Sequence, residues 1–257
     1  NYRKPNTITR KQIKKMTDIN FNKVLIRSSS LSYLFTEPKL KVDKDKGNLS
    51  ATAKTHLKQV YIREKYGRSK DIQTKAMTKG LECEDESILM LSKYNGKLYQ
   101  KNEERFSNGY ITGLPDIITN DTIIDVKTCQ DIWTFHDKVG EPIPDLYYAQ
   151  IQAYLWLVNR SKGQIAYCLT DATPQMVLDE QMYAFRKGQY VTELSPEYLE
   201  KCEQIEKAMT YQDIPLSEKI WVVNIELDQE FIEKIPQKVE KARQYLQEYD
   251  ENFTKNH

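Results

Sequence analysis

Histidine is nearly missing from this 257-residue chain: only His56, His136 and His257 occur, and none lies in a metal-binding or nucleophile pattern. The four cysteines, Cys83, Cys129, Cys168 and Cys202, stand far apart. They form no Cys-x-x-Cys or Cys/His pair, which excludes the common zinc and iron–sulfur patterns and leaves reduced, buried thiols in a cytoplasmic protein as the expectation. Nine glycines and nine prolines are too few for a collagen-like or linker-dominated chain. A Gly-x-Ser-x-Gly elbow, a Walker A loop and a dinucleotide glycine fingerprint are all missing. No apolar run approaches the roughly 18 residues of a membrane helix, and no basic-then-apolar leader opens the chain. The first residue is Asn1 rather than Met, so a trimmed start is expected.

What is present can bury a core: 39% of residues are apolar and 29% charged. The net charge of +1 hides a polarity. Residues 1–79 carry 20 Lys/Arg against 6 Asp/Glu, and the remainder carries 18 against 31. Basic charge interleaved with Tyr61, Tyr66 and Arg68 suits a polyanion such as nucleic acid, with a merely solvated helix face as the alternative.

Residues 1–22 read as a loose basic arm with a short helical piece, and residues 23–257 as one α/β domain with a helical C-terminal extension from about 171. A serine-capped helix is expected from Arg27 to Phe35, a mobile loop over 37–51, and a helix over 55–66 ending at Gly67. One long or two broken helices should span 71–94, with Ile88, Leu89 and Leu91 inward. Short strands are predicted at 98–100, 110–112 and 116–118. A turn at Asn120-Asp121 then leads into Thr122–Lys127, completing a β-meander. A helix over 146–159 and a strand over 164–169 follow, then helices near 174–187 and 196–211, a strand at 220–227 and a helix over 229–249.

Alternation along 122–127 puts Asp125 and Lys127 on one face and Val126 in the core. Asp116, across the turn, can bring its carboxylate beside Asp125. Two converging carboxylates make a hard-oxygen site suited to Mg²⁺, with Mn²⁺ as a substitute, and an ammonium aimed the same way can steady an activated water or phosphate charge. A surface Asp/Lys pair on an edge strand is the plain alternative. On the 146–159 helix, Tyr147, Gln150 and Tyr154 share one face, poised to contact a phosphate backbone or hold the lysine, while Ile151, Leu155 and Val158 form the packing stripe. In the acidic run 82–86, Glu84 has Ile88 and Leu91 at i+4 and i+7 and is the glutamate expected to turn inward, although acids at a helix start are favoured by the dipole anyway. Trp133, Phe135 and His136 follow the catalytic strand, where the rings could stack on frayed bases or be buried under the loop.

Gly80-x-x-x-Glu84, Gly113-x-Pro115-Asp116, Asp125-x-Lys127 and Gln150-x-x-x-Tyr154, in this order, resemble the PD-(D/E)XK nuclease superfamily, and within it the phage λ-exonuclease and YqaJ-like viral recombinase branch. The match covers about residues 26–170. The resemblance implies a restriction-endonuclease-like αβββαβ core, a mixed central sheet flanked by helices, with extra N- and C-terminal helices. It implies metal ligation by Glu84, Asp116, Asp125 and the Val126 carbonyl. Lys127 would orient the nucleophilic water, and Gln150 and Tyr154 would support the site. Arg27, Ser29 and Tyr147 fall where DNA or a 5′ phosphate is gripped, although a serine that only caps its helix is the competing reading. The activity implied is a Mg²⁺-dependent 5′-to-3′ exonuclease acting on linear double-stranded DNA in phage recombination. A homotrimer, a single-strand-annealing partner and the bacterial host cytoplasm go with it, and no membrane. An endonuclease of the same fold and a catalytically silent DNA-binding module are the alternatives.

Overall fold

The computed structural model describes residues 19–70 and 74–255; most of the expected basic arm lies outside them. The first strand, β1 (Ile26–Arg27), runs into a 3-10 segment, Ser28–Phe35, then the helices α1 (Lys41–Asp45), α2 (Ala51–Tyr66), α3 (Lys75–Glu82) and α4 (Glu84–Asn95). The strands β2 (Phe106–Ser107), β3 (Ile111–Gly113), β4 (Ile117–Ile118) and β5 (Thr122–Thr128) come next. They are followed by α5 (Ile132–His136), α6 (Asp145–Val158), β6 (Lys162–Cys168), α7 (Pro174–Lys187), α8 (Pro196–Met209), β7 (Ile220–Glu226) and α9 (Gln229–Lys255).

The strands form two mixed sheets rather than the one expected. β1 lies parallel to β3 and β2 antiparallel to it, giving the order β1-β3-β2. The larger sheet has the order β4-β5-β6-β7, with only the β5/β6 pair parallel. The predicted meander therefore breaks between β3 and β4, because β3 pairs with the distant β1 instead of its neighbour. A parallel pair cannot be closed by a tight turn, and α6 with its approach fills the β5-to-β6 crossover.

Three apolar clusters hold this together. Leu31, Leu34 and Leu57 meet Ile111 and, from α9, Ile235, Val239 and Leu246. Buried Arg243 pins α9 in place by donating to the carbonyls of Val24 (3.1 Å) and Gly109 (2.6 Å). On one side of β5, Ile123 packs with Ile151 and Leu155 of α6. On the other, Ile124 and Val126 pack with Ile88 and Leu91 of α4.

Several local expectations are corrected. Residues 37–51 contain α1 and a turn at Gly47 (φ 63°). Ser50 caps α2 by accepting from the Ala53 amide, so that helix begins four residues before the predicted start. The serine cap at 27–35 does not form: Arg27 occupies the cap position, and the Ser28 hydroxyl donates to the Thr112 carbonyl at 3.1 Å. Residues 98–100 are not a strand; the missed strand is β2. Leu89 is exposed, unlike Ile88 and Leu91. No helix of the described residues is long and apolar enough to cross a membrane.

Candidate active site

The β4/β5 hairpin pairs Ile117 with Ile124 and Ile118 with Ile123. Continuing that register by one residue sets Asp116 opposite Asp125, the separation at which side chains of neighbouring strands interact. Asp116 Oδ2 accepts from the Val126 amide at 2.7 Å. Asn102 fixes this corner from outside: its amide N–H donates to the Asp116 carbonyl at 2.7 Å and its side chain to the Pro115 carbonyl at 2.9 Å.

Asp125 is 1% exposed and Lys127, on the same face of β5, 20% exposed; Lys127 Nζ stands 2.7 Å from Asp125 Oδ2. That oxygen is closed to solvent and, despite the nearby ammonium, accepts no well-directed hydrogen bond. Asp125 Oδ1 accepts from Gln150 Nε2 at 3.2 Å. The same amide donates to the Tyr154 hydroxyl at 2.9 Å, while Gln150 Oε1 accepts from Lys127 at 3.3 Å. One glutamine thus ties carboxylate, ammonium and phenol together, and the Tyr147 ring lies 4.7 Å from Lys127 Nζ. Spacing alone left Gln150 free to face DNA or the lysine; here it holds the lysine.

Burial, with Asp125 repulsion behind it, pushes the Asp116 carboxyl up to about 8. Desolvation works against the Lys127 charge, but Asp125 and Asp116 outweigh it and hold the ammonium above its ordinary range. Burial also raises the Tyr154 hydroxyl, with Asp125 adding to the shift, so it stays protonated. Gly113 explains itself by its neighbours: an added Cβ would fall 2.5 Å from both Ser28 Oγ and the Tyr154 ring. Only glycine lets that ring lie against the end of β3.

Two opposed carboxylates fit a divalent cation, whose charge would relieve the repulsion that helps to raise Asp116. Mg²⁺ uses one or two protein carboxylates and retains several waters, so the pair is sufficient. Glu84 opens α4 and is half-buried. Its field contributes to the Asp116 shift, but its carboxylate is paired with Lys101 at 2.9 Å, and Lys101 also holds Asp85 at 2.8 Å. Among the described residues no three His, Cys, Asp or Glu side chains gather closely enough to hold a metal, so the two aspartates stand without Glu84. Val126 gives its amide to Asp116, and its side chain is buried beneath the site.

Arg27 and Ser29 are exposed at the end of β1. Desolvation, then the nearby guanidiniums of Arg63 and Arg105, lower the Arg27 pKa. Arg105 also acts on Tyr154, linking this cationic group to the carboxylate cluster. Sequence reasoning missed Asn102, Lys101, Arg63 and Arg105. Their only signal was polar residues in an aperiodic stretch and a basic residue on a helix face. Phe135 is buried, and Trp133 is 78% exposed.

No family model and no curated protein matches the chain. Among solved structures it is similar to a phage related exonuclease from Haemophilus somnus 129PT, with 26% identity, a TM-score of 0.71, and coverage of 91% of this chain and 98% of that one. Its fold is also similar to that of an alkaline exonuclease, LHK-Exo, from Laribacter hongkongensis, with 15% identity, a TM-score of 0.59, and coverage of 95% and 97%. Both of these neighbours are exonucleases, consistent with a PD-(D/E)XK nuclease of the phage recombinase type; the first, at 26% identity, supports a nuclease, and the second shows the likeness of fold.

Proposed function

From a fold shared with phage-type exonucleases, we propose that the chain is a Mg²⁺-dependent 5′-to-3′ exodeoxyribonuclease acting on linear double-stranded DNA. The observation that carries the reading is the joined set of Asp116, Asp125, Lys127 and Gln150 between β5 and α6. Asp116 and Asp125 would hold the ion, with the Val126 carbonyl as a further ligand and Glu84 contributing once released from Lys101. When bound, the ion supplies Lewis acidity to the scissile phosphate and acidifies a water.

Lys127 stays an ammonium because two carboxylates face it, so its role is donation: it orients the attacking water and meets negative charge growing on the phosphate. Gln150 keeps Lys127 and Asp125 in register, and Tyr154 braces Gln150. Tyr147 covers the lysine's other side. Arg27, with Arg105 and Arg63 near enough to act on it and Ser29 two residues on, offers the terminal 5′ phosphate a cationic seat. Phage-type recombination in the host cytoplasm is the setting that suits this chemistry, with a ring-shaped homotrimer and an annealing protein as its associates.

Digestion of linear duplexes labelled at the 5′ or the 3′ end, beside closed circular DNA, tests the proposal. Release of the 5′ label first, in Mg²⁺ and not in chelator, with intact circles, is the expected outcome. Nicked circles would make the chain an endonuclease, and salt-sensitive binding without cleavage would make it a silent module.

A further inference from the structure

The ion pair between Glu84 and Lys101 joins two anchored segments. Glu84 opens α4, and its Oε1 stands 2.9 Å from Lys101 Nζ. Three residues on, on the same face of the helix, buried Ser87 shares a 2.7 Å hydrogen bond between its hydroxyl and that of Thr128, the last residue of β5. Ile88 and Leu91 continue that face onto Ile124 and Val126. The helical turn that carries Glu84 is therefore pinned to the strand that carries Asp125 and Lys127.

Lys101 is fixed from the other side through its neighbour. The Asn102 amide N–H donates to the Asp116 carbonyl at 2.7 Å, and its side chain donates to the carbonyls of Pro115 and Glu104, each at 2.9 Å. The Asn102 side-chain oxygen accepts from the Glu104 amide at 3.2 Å, which completes the clamp. Glu84 is thus tied to the Asp125 strand, Lys101 to the Asp116 corner, and the ion pair bridges them.

The bridge is lopsided. Lys101 Nζ also holds Asp85 Oδ1 at 2.8 Å; the Asp85 side chain is 81% exposed, the Glu84 side chain 25%. Glu84 does not gather with the two aspartates closely enough to share a metal while the ammonium holds it. A divalent ion and an ammonium compete for one carboxylate, since each draws on the same negative charge. The ammonium can give Glu84 up cheaply, because Asp85 remains its partner and exposed pairs are weak.

We propose that Lys101 is a positioning residue for the metal centre, holding Glu84 while no ion is bound and yielding that carboxylate when a divalent cation settles on Asp116 and Asp125. This rests on the metal-dependent nuclease reading and deepens it by naming a residue that sets the ion's affinity. Lys101 acts only through Glu84 and keeps Asp85 after the exchange.

The test is Mn²⁺ binding to the full chain without DNA, read by electron paramagnetic resonance. It compares wild type, Lys101→Met, Glu84→Gln and the double variant, with circular dichroism checking each fold and Lys101→Gln replacing Lys101→Met should the latter fold poorly. Lys101→Met should bind Mn²⁺ about two- to fivefold more tightly than wild type, the scale of a partly exposed ion pair. In the Glu84→Gln background the same substitution should change nothing. An equal gain in that background would make Lys101 merely a nearby positive charge and overturn the inference, and so would a Lys101→Met chain that binds no tighter than wild type. Either result, with wild type still holding Mn²⁺ that Mg²⁺ displaces, leaves the two-aspartate centre standing. Wild type that binds no Mn²⁺ removes that centre and the inference together.

Discussion

Lys127 and Lys79 both approach the β5/β6 strand pair, both are largely withdrawn from water, and both lie against a tyrosine ring, at 4.7 Å from Tyr147 and 5.4 Å from Tyr211. Lys127 faces Asp125 at 2.7 Å. Lys79, only 3% exposed, donates to the carbonyls of Gln130 (3.1 Å) and Thr170 (2.7 Å), just past the ends of β5 and β6. Desolvation lowers the Lys79 pKa, while the carboxylates beside Lys127 reverse the same desolvation and raise it. Burial sets the cost of a charge, and its partner decides which way the proton goes. On the proposed function the first lysine serves the chemistry, and the second is a clasp closing the strands that carry it.

Substitution should separate the two. Lys127→Met is expected to bring nuclease activity below detection in a chain that still folds, as circular dichroism would check, because the carboxylates it faced remain. Equal activity would remove the lysine from the mechanism. Gln150→Ala, which frees Lys127 and Asp125 without removing either, should cost about 10–100-fold in rate, as loss of an orienting partner does; an unchanged rate would make the bridge ornamental. Lys79→Met should do the opposite of Lys127→Met. It leaves two carbonyls without their donor and costs about 1–3 kcal/mol, read as a lower denaturation midpoint, with activity persisting in the folded fraction. A variant as stable as wild type would contradict the clasp.

His56 extends the comparison to a base with no carboxylate partner. Its folded pKa of about 4 lies below the ordinary imidazole value, so below about pH 6.5 the unfolded chain takes up the proton first. Stability should fall as pH drops from about 6.5 towards 4, by about 2–4 °C in melting temperature after allowance for partial exposure. His56→Gln should flatten that limb. An unchanged acid limb would show that the imidazole titrates normally.

How much of this could be read from sequence follows the range of the interactions. The alternation Ile123-Ile124-Asp125-Val126-Lys127 and the i, i+3, i+7 spacing of Tyr147, Gln150 and Tyr154 are local, and both survive in the fold. The division into two sheets was hidden because β3 finds its parallel partner far back in the chain, at β1. Lys79 was counted with the basic N-terminal surface, yet it is buried, because one polar position in α3 says nothing of the carbonyls waiting beyond β5 and β6. Glu84 was singled out by its apolar i+4 and i+7 neighbours, and Lys101, from an aperiodic stretch, takes its carboxylate. Asn102 clamps Pro115 and Asp116 through contacts that no periodicity encodes.

Counting bound Mn²⁺ by electron paramagnetic resonance, in wild type and in Asp125→Asn, addresses the two-carboxylate centre most directly. Wild type should hold Mn²⁺ that Mg²⁺ displaces, and the variant, still folded, should hold none at the same concentration. Undiminished Mn²⁺ binding by Asp125→Asn would contradict the proposal that Asp116 and Asp125 together hold the ion.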